Sequence, residues 1–144
     1  MQKGISIRRI WSDDDVAELR IVVADLSSSF CTTAYAGHGH IRGLSDQLRT
    51  FRGHVHGGIK DIRLGKFGPE FANGAFHARL HFLSPGRLYI STHQQSDFVR
   101  FSVGQVASEA KMHLVSEPIL LDGFIAELAA LASGMREDAA LECV

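Results

Sequence analysis

Apolar and polar residues alternate along most of this chain, and helical spacing interrupts the alternation only twice. Phe76, Ala78, Leu80 and Phe82 interleave with His77, Arg79 and His81, the period-two signature of a strand buried on one face. Ser84-Pro85-Gly86 then supplies a turn, since Pro fixes a negative φ and Gly accepts a positive one. Beyond it Leu88 and Ile90 oppose Arg87, Tyr89 and Ser91. Residues 74–92 are therefore expected to form a β-hairpin with one apolar face and one face of His, Arg and Tyr.

The same period predicts a first strand around Ile5, Ile7 and Trp11, ended by Ser12-Asp13-Asp14-Asp15. Val16 to Asp25 and Phe30 to Ala36 complete a meander. Ile59 to Phe67 reads as a short edge strand, followed by a loop at Gly68 and Pro69. Phe98 to Val103 and Val106 to Val115 read as two more strands. Helical spacing appears first at Ile41, Leu44, Leu48 and Phe51, with Gly53 as the stop. It returns at Leu120, Leu121, Phe124, Ile125, Leu128 and Leu131, with Ser116 as N-cap, Pro118 in the first turn and Gly134 as the stop. Phe51, Phe67 and Phe71 are expected in the core. The order βββα-βββββ-α predicts an α+β fold: an antiparallel sheet of about 7–8 strands with both helices on one face. Residues 1–134 are expected to form one domain and 135–144 a frayed tail.

Composition narrows the function classes. A chain of 144 residues suits one domain. A net charge of -1 argues against an electrostatic nucleic-acid binder. No apolar run approaches the ~20 residues that span a bilayer, and the N-terminal residues lack the apolar core of a secretory signal. Cys31 and Cys143 stand at no metal or disulfide spacing, so a reduced, cytoplasmic setting is expected.

Two sets of residues are candidates for chemistry. The eight histidines cluster, and His38, His40, His54 and His56 would supply a divalent-metal site. Against it, both pairs lie in Gly-rich stretches and no His-Glu-x-x-His spacing is present. The second set is the polar sheet face, where His77, Arg79, His81, Arg87, Tyr89, His93, Arg100, Glu109, Lys111 and His113 share one parity. That face reads as mostly basic and suited to an anionic or aromatic partner surface. Glu109 and His113 are too far apart along one strand to act as an acid/base pair. No nucleophile elbow, dinucleotide fingerprint or P-loop occurs, so no cofactor and no catalytic residue is expected.

Leu44-Ser45-Asp46-Gln47-Leu48-Arg49-Thr50-Phe51 in the first helical slot and Phe124-Ile125-Ala126-Glu127-Leu128 in the last bear on function. With the element order over residues 15 to 133, they resemble the WapI-type immunity proteins of bacterial polymorphic toxin systems. The resemblance implies a non-enzymatic cytoplasmic protein that neutralises a cognate toxin by steric occlusion. The chain lacks the acidic surface expected against a nuclease toxin. His77, Arg79, His81, Tyr89 and His93 are the expected partner contact, with no nucleic acid and no membrane. The alternative is a small metal-dependent or ligand-binding enzyme using the paired histidines, and a homo-oligomer using the same face is a third reading.

Overall fold

The computed structural model describes residues 2–68 and 74–144; Pro69 and Phe71 lie outside them. Along the chain come β1 (Gly4–Ser12), β2 (Val16–Ala24), β3 (Ser29–Gly37), α1 (His38–Phe51), β4 (Ile59–Leu64), β5 (Ala75–Ser84) and β6 (Arg87–Gln95). They are followed by β7 (Val99–Phe101), β8 (Gly104–Val106), β9 (Glu109–Ser116), α2 (Pro118–Ala132) and β10 (Asp138–Glu142). The fold is α+β with two helices and antiparallel sheets, as the periodicity predicts.

The strands form two four-stranded sheets rather than one, in the orders β10-β1-β2-β3 and β4-β5-β6-β9. Each turns its apolar parity inward. Ile5, Ile7, Leu19 and Ile21 of the first sheet join Ile62, Phe76, Leu80 and Ile90 of the second in a single core. Leu44, Leu48 and Phe51 of α1 and Leu121, Phe124 and Leu128 of α2 enter the same core. The helices also hold each other, through the Ser45 hydroxyl donating to the Ile125 carbonyl at 3.1 Å and an Arg52–Asp122 ion pair at 2.8 Å. Gln94, buried on β6, ties the sheets together by donating to the Ile21 carbonyl and the Thr32 hydroxyl.

The hairpin at the centre of the chain forms as expected. Pro85 and Gly86 join β5 to β6, and Gly86 takes φ +85°. Gly134 closes α2 in a Schellman motif, with its N–H on the Leu131 carbonyl and the Met135 N–H on the Ala130 carbonyl. Among the described residues, no helix is long and apolar enough to cross a membrane.

Four expectations change. First, residues 135–144 are not a frayed tail. Asp138 to Glu142 pair with Arg8 to Gly4, and Ala139 and Leu141 are buried. Second, β6 pairs with β9, while the segment between them rises as a separate β7–β8 hairpin; the strand expected over Val106 to Val115 forms from Glu109 onward as β9, and Val106 belongs to β8. Third, α1 begins at His38, so the Gly-rich stretch is its first turn. Fourth, Glu117 rather than Ser116 is the N-cap position of α2, and the Ser116 hydroxyl instead donates to the Glu142 carbonyl at 2.6 Å.

The docking of β10 gives the two cysteines opposite chemistries. Burial pushes the Cys143 thiol up to about 11, whereas Cys31 is exposed on β3. At pH 8 a disulfide reagent is expected to modify Cys31 quickly and Cys143 only after denaturant is added. Two equally fast thiols would place β10 wrongly.

Candidate functional site

The outer face of the second sheet is built by cross-strand register. Pairing sets Arg63, His77, His93 and Lys111 in one row across β4, β5, β6 and β9. Asp61, Arg79, Ser91 and His113 form the next row, and Ile59, His81, Tyr89 and Val115 the third. Alternation dictates this, because the inward parity of the same strands is filled by Ile62, Ala78, Leu80, Ile90, Met112 and Leu114. The five expected contact residues His77, Arg79, His81, Tyr89 and His93 thus lie on one surface.

Asp61 is the hub of that surface. It accepts hydrogen bonds from Arg79 Nε and Nη2 at 2.9 and 3.2 Å and from His77 Nε2 at 2.8 Å. The Arg79 hydrogen bond first, then that of His77, pulls the Asp61 carboxyl from its ordinary 3.8 down to about 2. The same contact raises Arg79. His93 Nε2 meets Glu109 Oε1 at 2.7 Å, and the Phe67 ring stacks on the other side of the His93 imidazole with centroids 4.4 Å apart. Phe67 is therefore part of this outer surface and not of the core. Ser91 Oγ and His113 Nδ1 lie 3.2 Å apart.

The outer face keeps the mostly basic character expected from sequence: Arg63, Arg79, Arg87 and Lys111 outnumber Asp61 and Glu109, and Asp61 offsets Arg79 and Arg63 locally. Arg100 is absent from it, because β7 leaves the sheet. Sequence reasoning missed Asp61, Arg63 and Phe67. The signal was there: Asp61 and Arg63 alternate with Ile62 and Leu64 in the manner of a strand that contributes to both faces.

The depressed Asp61 has a stability consequence with a definite sign. A carboxyl whose folded pKa lies below its unfolded value stabilises above the unfolded pKa, and the effect is lost as pH falls through the folded one. Asp61→Asn is expected to cost about 1–2 kcal/mol at pH 7, after screening by the solvent that reaches it. The deficit against the parent should shrink as pH falls from 3.8 toward about 2. Urea titrations at pH 7 and pH 3 measure it, and an equal deficit at both would remove the ionised network.

The four histidines proposed for a metal do not meet. His38 and His40 open α1, and His54 and His56 follow its end; the fourteen-residue helix is about 20 Å long and holds the pairs at its opposite ends. His38 Nε2 instead donates to the Asp13 carbonyl at 2.8 Å and His40 Nε2 to the Arg63 carbonyl at 3.1 Å. Among the described residues, no three His, Cys, Asp or Glu side chains converge as metal ligands.

Two exposed apolar features also escaped the sequence reading. Trp11 and Tyr35 stack edge to face at 6.3 Å on the outer side of the first sheet, with Glu18 raising the Tyr35 hydroxyl. The β7–β8 hairpin holds Phe101 and Val103 at 69% and 98% exposure, with Ser102 in its turn at φ +58°. No known protein family, characterised protein or solved structure matches this chain.

Proposed function

We propose that this is a non-enzymatic protein-binding domain that acts by occupying its partner, most concretely as an immunity protein that blocks a cognate toxin in the cytoplasm. The observation that carries the reading is the ordered outer grid of the second sheet. Asp61 fixes Arg79 and His77, and Glu109 and Phe67 fix His93 from two sides. Side chains already held in place lose little rotamer freedom on binding, which is one of the main costs of association. Tyr89, 40% exposed beside His81, is the amphipathic ring best placed to anchor a contact. The two free cysteines suit a reducing compartment.

The binding test should spare the Asp61 network. Glutamates at 77 and 79 would crowd a third carboxylate and confuse unfolding with lost contact. Tyr89→Ala with His81→Glu touches neither Asp61 nor Glu109. The tagged chain is expected to capture one stoichiometric protein from its native host. The double variant should bind that protein roughly a hundredfold more weakly, with an unchanged far-ultraviolet spectrum. Unaltered affinity in the variant would rule this face out.

A further inference from the structure

The second sheet has one edge that, among the described residues, no strand pairs with and only side chains of α1 reach. β9 and β10, the adjoining edges of the two sheets, meet through the Val144 N–H on the Val115 carbonyl and Ser116 on Glu142. The edge of β4 instead faces a groove whose other wall is α1. The Phe82 N–H donates to the Gly58 carbonyl at 2.9 Å. Antiparallel alternation then turns Lys60, Ile62 and Leu64 toward β5, and Ile59, Asp61 and Arg63 away from it. The Arg63 carbonyl has this phase, since it accepts from His40 on the side away from β5. The backbone groups of Ile59 and Asp61 and the N–H of Arg63 thus point into the groove.

Three adjoining depressions follow that edge. One of about 340 Å³ lies between Phe51 and Ile59, the next of about 280 Å³ between Gly43 and Asp61, and the last of about 540 Å³ runs from His40 to Gly65. Gln47 is common to the first two, and His40 and Arg63 to the last two. Lys60 donates to Gln47 and links the walls partway along. Gly39 and Gly43 line the middle depression four residues apart on α1, and a Cβ at either would meet nothing within 4 Å. Each glycine costs a helix about 1 kcal/mol relative to alanine, and no packing inside this molecule requires it. What the two glycines provide is width beside an unpaired strand.

We infer that an extended segment of a protein partner adds to β4 as a fifth strand of the second sheet, lying between β4 and α1. This is β-strand addition, in which backbone hydrogen bonds give affinity and alternate side-chain pockets give selectivity. Alternate side chains of the segment enter beside Leu44 and Phe51 and are apolar. The inference stands apart from the outer-face contact and does not depend on it.

The probe is a phage library of randomised seven-residue peptides panned on the whole chain. Selected peptides should show alternating apolar residues and slow amide exchange at Ile59, Asp61 and Arg63. N-methylation at the positions facing β4 should weaken the best peptide roughly tenfold or more, while methylation at the intervening positions leaves it unchanged. Gly43→Trp, which fills the groove from a half-buried helical position with open space at its Cβ, should weaken it comparably. A library that yields no binder overturns the proposal. So does a binder indifferent to the methylation register, or one that leaves the three amides unprotected.

Discussion

Removing residues 135–144 is expected to leave most molecules unfolded at room temperature. Leu141 and Ala139 are fully buried against the core, and β10 pairs with β1 from Gly4 to Arg8. A buried Leu alone is worth about 2–5 kcal/mol against Ala. Deletion also bares the edge of β1, where Ile5 and Ile7 lie in the core, and unpairs its backbone. The summed loss rivals the whole stability of a domain this size, about 5–15 kcal/mol. The Arg9 guanidinium, which donates to the Leu131 and Arg136 carbonyls, loses one of its anchors as well. Circular dichroism and urea titration of the truncated chain measure the effect. A truncated chain that melts like the parent would return this segment to the status of a tail.

Gly74→Ala is expected to destabilise the chain strongly, because it would wedge the two sheets apart. A Cβ there would stand 2.8 Å from the Thr33 carbonyl oxygen and 2.8 Å from that of Gln95, with the Thr32 side chain at 3.4 Å. Both oxygens belong to backbone, of β3 on one side and β6 on the other, so neither can swing aside. Relief requires moving one sheet against the other, which costs about 3 kcal/mol or more by the usual scale of overpacking. The same substitution at Gly39 or Gly43 is the internal control. Open space at those positions and the helical preference for Ala should give a gain of up to about 1 kcal/mol each. Thermal melts of the three variants separate the cases, and a neutral Gly74→Ala would mean that the sheets do not approach there.

How much of this was legible in the sequence follows from what periodicity encodes. Alternation fixes which parity of a strand is apolar, so the outward set His77, Arg79, His81, Tyr89 and His93 was readable before any fold was known. Partner choice is another matter. Nothing in Phe98 to Val106 says that it leaves the sheet, because its Val and Phe spacing suits a core strand, yet these side chains are exposed. Asp138-Ala139-Ala140-Leu141-Glu142 uses residues that favour helices, and it becomes a strand because β1 offers an unpaired edge. Long-range pairing likewise split the expected single sheet in two. The Asp61 network was hidden for the same reason: Asp61 lies sixteen and eighteen residues from the His77 and Arg79 it binds. The histidine pairs, the alternative reading, cluster in sequence but not in space, because α1 holds them apart.

The central claim is that the outer face of the second sheet is where a protein partner sits. Hydrogen–deuterium exchange of the chain alone and with the captured partner tests it most directly. Protection over residues 77–81 and 87–93, with the first sheet unchanged, is the predicted result. Protection confined to the β7–β8 hairpin or to Trp11 and Tyr35 would contradict it and move the contact to the exposed apolar features.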